Sequence, residues 1–157
     1  MFGKKSKKLI KFDVSGKLPK KSNWGKDDAE MIVRFRESAL AARNKAGLSE
    51  GYEGPVKLTL IIYAPNITDM NYKQTGDDDP KKFIGDLDSL VAGVCEYLHK
   101  GPKKGENNFE PSPLFDNKPE IGPEVPLIID DDSQIVEIDA KKELDETTHY
   151  HVEVIAL

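Results

Sequence analysis

A chain of 157 residues, 38% hydrophobic and 32% charged, is expected to fold as one polar globular domain spanning 1–157, with a real core and no bias toward disorder. Its one cysteine, Cys95, excludes an internal disulfide, and its longest apolar runs, such as Leu58 to Tyr63, fall far short of the ~20 residues of a membrane span. A soluble, cytoplasmic protein is the expectation. The net charge of −5 argues against nucleic acid until its distribution is considered. Residues 1–26 hold nine lysines against Asp13, a local charge of +8 that leaves −13 on residues 27–157. A basic arm on an acidic body can contact phosphates while the body holds cations; a solubilising tail is the plain alternative.

In chain order, Leu9 to Val14 alternates weakly and predicts a first strand. A Gly/Pro/Lys/Ser loop follows and carries Trp24. Asp27 or Asp28 then caps a helix running to about Ala46, with Ile32, Phe35, Ala39 and Ala42 at helical spacing and Gly47 as the stop. Glu30 and Arg34 stand at i,i+4 on its polar side. Val56 to Ala64 is the clearest strand, with Val56, Leu58, Leu60 and Ile62 on one face and Lys57 and Thr59 on the other. A polar loop containing Asp77-Asp78-Asp79 leads to a second helix, about Asp86 to His99. Its core stripe is Leu87, Leu90, Val91, Val94 and Leu98, and Gly101 ends it.

Residues 101–129 contain six of the ten prolines and show no regular period; a loop of this length is usually functional or mobile. Two strands, Gln134–Lys142 and His149–Ile155, close the chain, with a short link suited to a hairpin. The order β-α-β-α-β-β predicts an α+β domain: a small mixed sheet with two main helices packed on it.

Two acidic clusters stand at the mouths of ordered elements, Asp86-Leu87-Asp88 before the second helix and Asp130-Asp131-Asp132 before the third strand. Oxygen ligands on rigid supports are what a divalent cation needs. Each cluster also has an ordinary account. Aspartate is a favoured N-cap and gains from the helix dipole, and acids are common in turns before strands. Asp132 shares parity with Val136, Ile138 and Ala140, which would aim it toward the buried side, where a carboxylate must be paired or metal-bound.

The run Gly85-Asp86-Leu87-Asp88-Ser89-Leu90, then Glu96-Tyr97-Leu98, then Asp131-Asp132-Ser133-Gln134-Ile135-Val136-Glu137 resembles the RusA family of Holliday junction resolvases. That family carries an Asp-x-Asp-Asn-Leu helix start, an Asp-Ala-Leu one helix length on, an Asp-Asp-x-Gln-Val/Ile-Val strand, and a basic residue at the strand's end. The similarity covers roughly residues 56–142, and the Asp-Asp-Ser-Gln-Ile-Val-Glu stretch is its most specific part. The resemblance implies a RusA-like fold and a homodimeric endonuclease that binds four-way DNA junctions in recombination and repair. Such an enzyme makes paired cuts with Mg²⁺, for which Mn²⁺ can substitute. Carried over, the catalytic and metal-binding carboxylates are Asp86, Asp88 and Asp132. Lys142 falls at the family's basic position. Lys20, Lys21 and Lys26 of the basic segment, with Lys81 and Lys82 before the second helix, complete the candidate DNA contacts.

Departures from the family pattern bear on turnover. Where the family places a lysine one turn after the second helix aspartate, this chain has Ala92, which removes a charge for the scissile phosphate. Either another lysine, among Lys81, Lys82, Lys100, Lys103 and Lys104, replaces it, or the enzyme works more slowly. The alternative reading is a non-catalytic junction-binding module with the same fold; a nuclease acting on flaps or RNA is a third.

Other signals have plain readings. His149 and His151 share a solvated strand face, His99 complements a helix C-terminus, and Cys95 is an inert thiol beside the core. Trp24 and Tyr72 suit either base stacking or packing at the edge of the core. Asp77-Asp78-Asp79 is a solvated charge run. No phosphate-cradling glycine-rich motif and no nucleophile elbow is present.

Overall fold

The computed structural model describes residues 9–25, 28–71 and 83–157. Strand β1 (Leu9–Ser15) leads to helix α1 (Ala29–Lys45), strand β2 (Val56–Ala64), the single turn α2 (Ile67–Met70), helix α3 (Leu87–Leu98), and strands β3 (Ile135–Leu144) and β4 (His149–Ala156). The four strands form one mixed sheet in the order β1-β4-β2-β3. The expected α+β architecture, two main helices on a small mixed sheet, is what the chain forms. No helix among the described residues is long and apolar enough to cross a membrane.

Alternation in β2 and β4 determines which side of the sheet is covered. Val56, Leu58, Leu60, Ile62 and Ala64 of β2 are buried together with Tyr150, Val152 and Val154 of β4 and Ile10, Phe12 and Val14 of β1. They form one core with Ile32, Phe35 and Ala39 of α1 and Leu90, Val94 and Leu98 of α3. A period-2 face meeting two period-3.6 stripes gives a two-layer domain. Alternate residues of β2 and β4 (Lys57, Thr59, His149, His151) lie half-buried on the open side of the sheet.

Two expectations are corrected. First, β3 and β4 are not a hairpin. Strand β2 lies between them, parallel to β3 and antiparallel to β4. Central β2 is apolar on its core face and needs two neighbours for its backbone, whereas the link after Leu144 only has to pass over its end. Second, residues 101–129 are ordered by packing rather than by period. They fold as 3₁₀ turns at 106–108, 113–115 and 119–121 and bury Phe115, Ile121, Leu127, Ile128 and Ile129. Of its two readings, Trp24 takes packing rather than base stacking. It is 1% exposed, packs edge-on to Tyr97 at 5.0 Å, and donates from Nε1 to Glu96 at 2.9 Å. Tyr72 and Asp77-Asp78-Asp79 lie outside the described residues.

Arg36 is what binds the long loop to the helices. Fully buried on α1, it donates to the carbonyls of Ile121, Tyr97, His99, Gly122 and Val125 at 2.6–3.1 Å. Its guanidinium lies 5.1 Å from the Trp24 ring centre. Tyr97 and His99 carbonyls are among those left unpaired at the end of a helix, so one side chain caps α3 and anchors the loop after it. Burial lowers its pKa to about 9, and it stays cationic at neutral pH.

Candidate functional site

Helix α3 is entered through Gly85, whose φ of +113° lies in the region that glycine tolerates best. Asp86 occupies the N-cap position with extended backbone, but its side chain makes no capping hydrogen bond. The ordinary account of this carboxylate as a side-chain cap is therefore not realised. Lys142 of β3 docks this entrance onto the sheet. Its Nζ donates to the Gly85 carbonyl at 2.5 Å and the Met70 carbonyl at 3.0 Å and sits 5.1 Å from the Phe83 ring centre. Burial lowers the Lys142 pKa, and the nearby Asp86 carboxylate opposes that shift. In this position Lys142 holds the acid-bearing segment and spends two of its donors doing so.

The second cluster is ordered by Gln134. In a 3₁₀ turn at Asp132–Gln134, Asp131 accepts from the Ser133 N–H at 3.0 Å. The Gln134 Oε1 accepts from the N–H groups of Asp130 and Asp131 at 2.8 and 2.9 Å. This reciprocal arrangement is a capping box. The Gln134 Nε2 donates to the carbonyls of Tyr52 and Gly54 at 2.7 and 2.8 Å, which fastens the turn to the entry of β2. The Ser133 hydrogen bond holds the Asp131 carboxyl below its ordinary range. Asp131 is thus occupied, and Asp132 is left unused by the turn.

Asp132 does not point into the core. It is exposed, because the strand parity assumed for it does not extend back through the 3₁₀ turn. Its Oδ2 stands 3.8 Å from the His99 Nε2. The two share a cleft of about 540 Å³ with Asp88, Ala92, Cys95, Lys21 and Lys100. Burial and the Asp132 charge push the Cys95 thiol up to about 11, so it is protonated and unreactive at neutral pH. Asp86 opens instead on an adjoining cleft of about 660 Å³, with an apolar lining of Leu18, Met31, Phe83, Ile84 and Leu90 and a rim including Lys17, Lys20 and Lys21. Lys21 borders both clefts.

The fold therefore brings Asp88 and Asp132 to one cleft and sets Asp86 beside it. Among the described residues no three His, Cys, Asp or Glu side chains converge closely enough to hold an ion by themselves. The donor chemistry nevertheless suits Mg²⁺, which takes one or two carboxylates and completes its shell with water and phosphate oxygens. Of the candidate DNA contacts, exposed Lys20 and Lys21 line the clefts. Lys26, Lys81 and Lys82 lie outside the described residues. Glu96, the acid of the Glu96-Tyr97-Leu98 run, is committed elsewhere. It accepts from the Ser22 N–H at 2.8 Å, the Ser22 hydroxyl at 3.1 Å and Trp24 Nε1, and so attaches the basic loop to α3.

His99 and Cys95 were not among the predicted site residues, whereas Lys100 stood among the lysines expected to replace the charge missing at Ala92. The signal was available in α3: Asp88, Ala92, Cys95 and His99 repeat at +4, +7 and +11, a second stripe beside the core stripe. Comparison with protein-family models and with curated proteins finds no match for this chain.

Proposed function

We propose that this protein is a RusA-like, Mg²⁺-dependent endonuclease acting on four-way DNA junctions. The observation that carries the reading is the meeting of Asp88 and Asp132, 44 positions apart in sequence, in one cleft bordered by Lys21 and Lys100. Asp88 and Asp132 would hold the ion, with Asp86 adjoining from the helix entrance. A cation bound there supplies Lewis acidity to the phosphoryl oxygen and acidity to an attacking water. Lys21 and Lys100 place positive charge where a phosphate approaches, and Lys20 extends it along the neighbouring cleft. Paired cuts in a two-fold junction call for two copies of the chain.

The second reading, a junction-binding module without turnover, is favoured by one observation. Ala92 lines the cleft at the helical position where the resemblance calls for a lysine. Incubation with a labelled synthetic four-way junction, with Mg²⁺ or Mn²⁺ and with chelator, separates the two. Paired symmetric cuts, lost in the chelator and reduced at least ~100-fold in Asp88→Asn, are expected for the nuclease. Binding without cuts in both the native protein and Ala92→Lys would replace it with the module. A many-fold gain in Ala92→Lys would identify the missing charge as the brake on turnover.

A further inference from the structure

Helix α3 ends at His99. Its Nδ1 is buried, so Nε2 is the nitrogen turned to the cleft, 3.8 Å from the Asp132 Oδ2. That separation is too long for a hydrogen bond, and neither group satisfies the other. It is close to the span of two ligands on one ion. Donors bound at ~2.1 Å stand ~3.0 Å apart at a right angle and ~3.4 Å apart at the tetrahedral angle. Asp132, with 58% of its side chain exposed against 16% for His99, has the freedom to close the difference by turning about its own bonds.

The approach is built into the backbone on both sides. The Leu98 carbonyl accepts from the N–H groups of Ile128 and Ile129 at 2.8 and 3.3 Å, which ties the chain entering the acidic turn to the residue before His99. Arg36 donates to the His99 carbonyl at 2.6 Å, and Gln134 fastens the far end of the turn to Tyr52 and Gly54. Donors on supports fixed in this way have the preorganisation that a metal site requires.

We infer that His99 and Asp132 are two ligands of one divalent ion, and that the imidazole makes it a first-row transition ion, Mn²⁺ in preference to Mg²⁺. Mg²⁺ seeks oxygen ligands, whereas imidazole nitrogen suits transition ions. Only two donors meet at this point, so water and a phosphate oxygen complete the shell, with Asp88 in the same cleft. The motifs that carry the RusA resemblance include no histidine; this ligand comes from the fold. The site is the cleft of the nuclease reading, on which it rests, yet ion binding and cleavage are measured separately.

Pulsed EPR of Mn²⁺ bound to the full chain is the direct test, since a ligating imidazole imposes nitrogen hyperfine modulation on the manganese signal. The chain has three histidines. Modulation is expected in the native protein and in the double variant His149→Asn with His151→Asn, which isolates His99 without altering it. It is expected to vanish in His99→Gln, whose fold circular dichroism checks. By titration calorimetry, His99→Gln should weaken Mn²⁺ at least ~10-fold and leave Mg²⁺ within about twofold. No Mn²⁺ binding, no modulation in the native protein, or modulation that survives in His99→Gln overturns the inference and leaves His99 a mere neighbour of Asp132. Modulation without junction cleavage keeps the ligand and removes the nuclease; metal-dependent cleavage without modulation does the reverse.

Discussion

At the scale of single residues, two side chains that look like surface cations act as internal fasteners. Among the described residues Arg36 serves five carbonyls and faces no carboxylate, so its fork geometry matters more than its charge. A lysine has a single point charge and cannot reach five diverging acceptors. Arg36→Lys is expected to cost about 3–5 kcal/mol, because buried carbonyls are left unpaired; urea denaturation followed by tryptophan fluorescence would measure it, since Trp24 lies against the guanidinium. Lys142 fastens the entrance of α3 to β3. In Lys142→Met the Gly85 and Met70 carbonyls lose their donor, an expected cost of about 1–2 kcal/mol. The same variant should show faster hydrogen exchange at the first turn of α3 than at its middle. Uniform exchange along α3 would mean that Lys142 does not position Asp86.

At the scale of elements, the open face of the sheet carries a pH-sensitive contact between β1 and β4. The His151 ring donates from Nδ1 toward Asp13 at 2.8 Å and from Nε2 toward Glu153 at 2.9 Å, which requires the imidazolium. Partial burial would lower its pKa, but the Glu153 and Asp13 hydrogen bonds outweigh it and raise the value above the ordinary 6.5. The folded state thus holds this proton more tightly than the unfolded state. The contribution is complete below about pH 6.5 and is lost as pH rises through the folded-state value. Melting temperature should fall between pH 6 and 8 by a share that His151→Asn removes; equal slopes in the two proteins would refute the contact. The loop at 101–129 belongs to the same scale. Its prolines mark it as irregular, yet irregularity of the backbone did not mean mobility, because Phe115, Ile121 and Leu127 are core residues.

At the scale of the whole molecule, the elements needed for the cleft were legible along the chain. Both helices, β2 and β4 announced themselves by period, and Gly85 and the Asp-Asp-Ser-Gln turn marked where the acidic segments begin. Their meeting was not legible. Asp88 and Asp132 share a cleft because β3 lies parallel to β2 under α3, and an apparent hairpin between β3 and β4 hid that pairing. Parity singled out Asp132 as buried, but it is exposed, and what separates it from Asp131 is the turn, whose hydrogen bonding occupies Asp131 and does not use Asp132. Glu96 offers a further carboxylate along α3 in the sequence but is consumed by Ser22 and Trp24 in the fold.

The amino-acid sequence by itself determined the class of fold, the positions of the main elements and the residue types available for cation chemistry, because these follow from local periodicity and side-chain chemistry. Only the tertiary structure decided strand order, the role of Arg36, the division of Asp86 from Asp88 and Asp132, and the approach of His99 to Asp132. Each of these depends on which distant backbone groups find partners, and hydrogen bonding between segments far apart leaves no period in the chain.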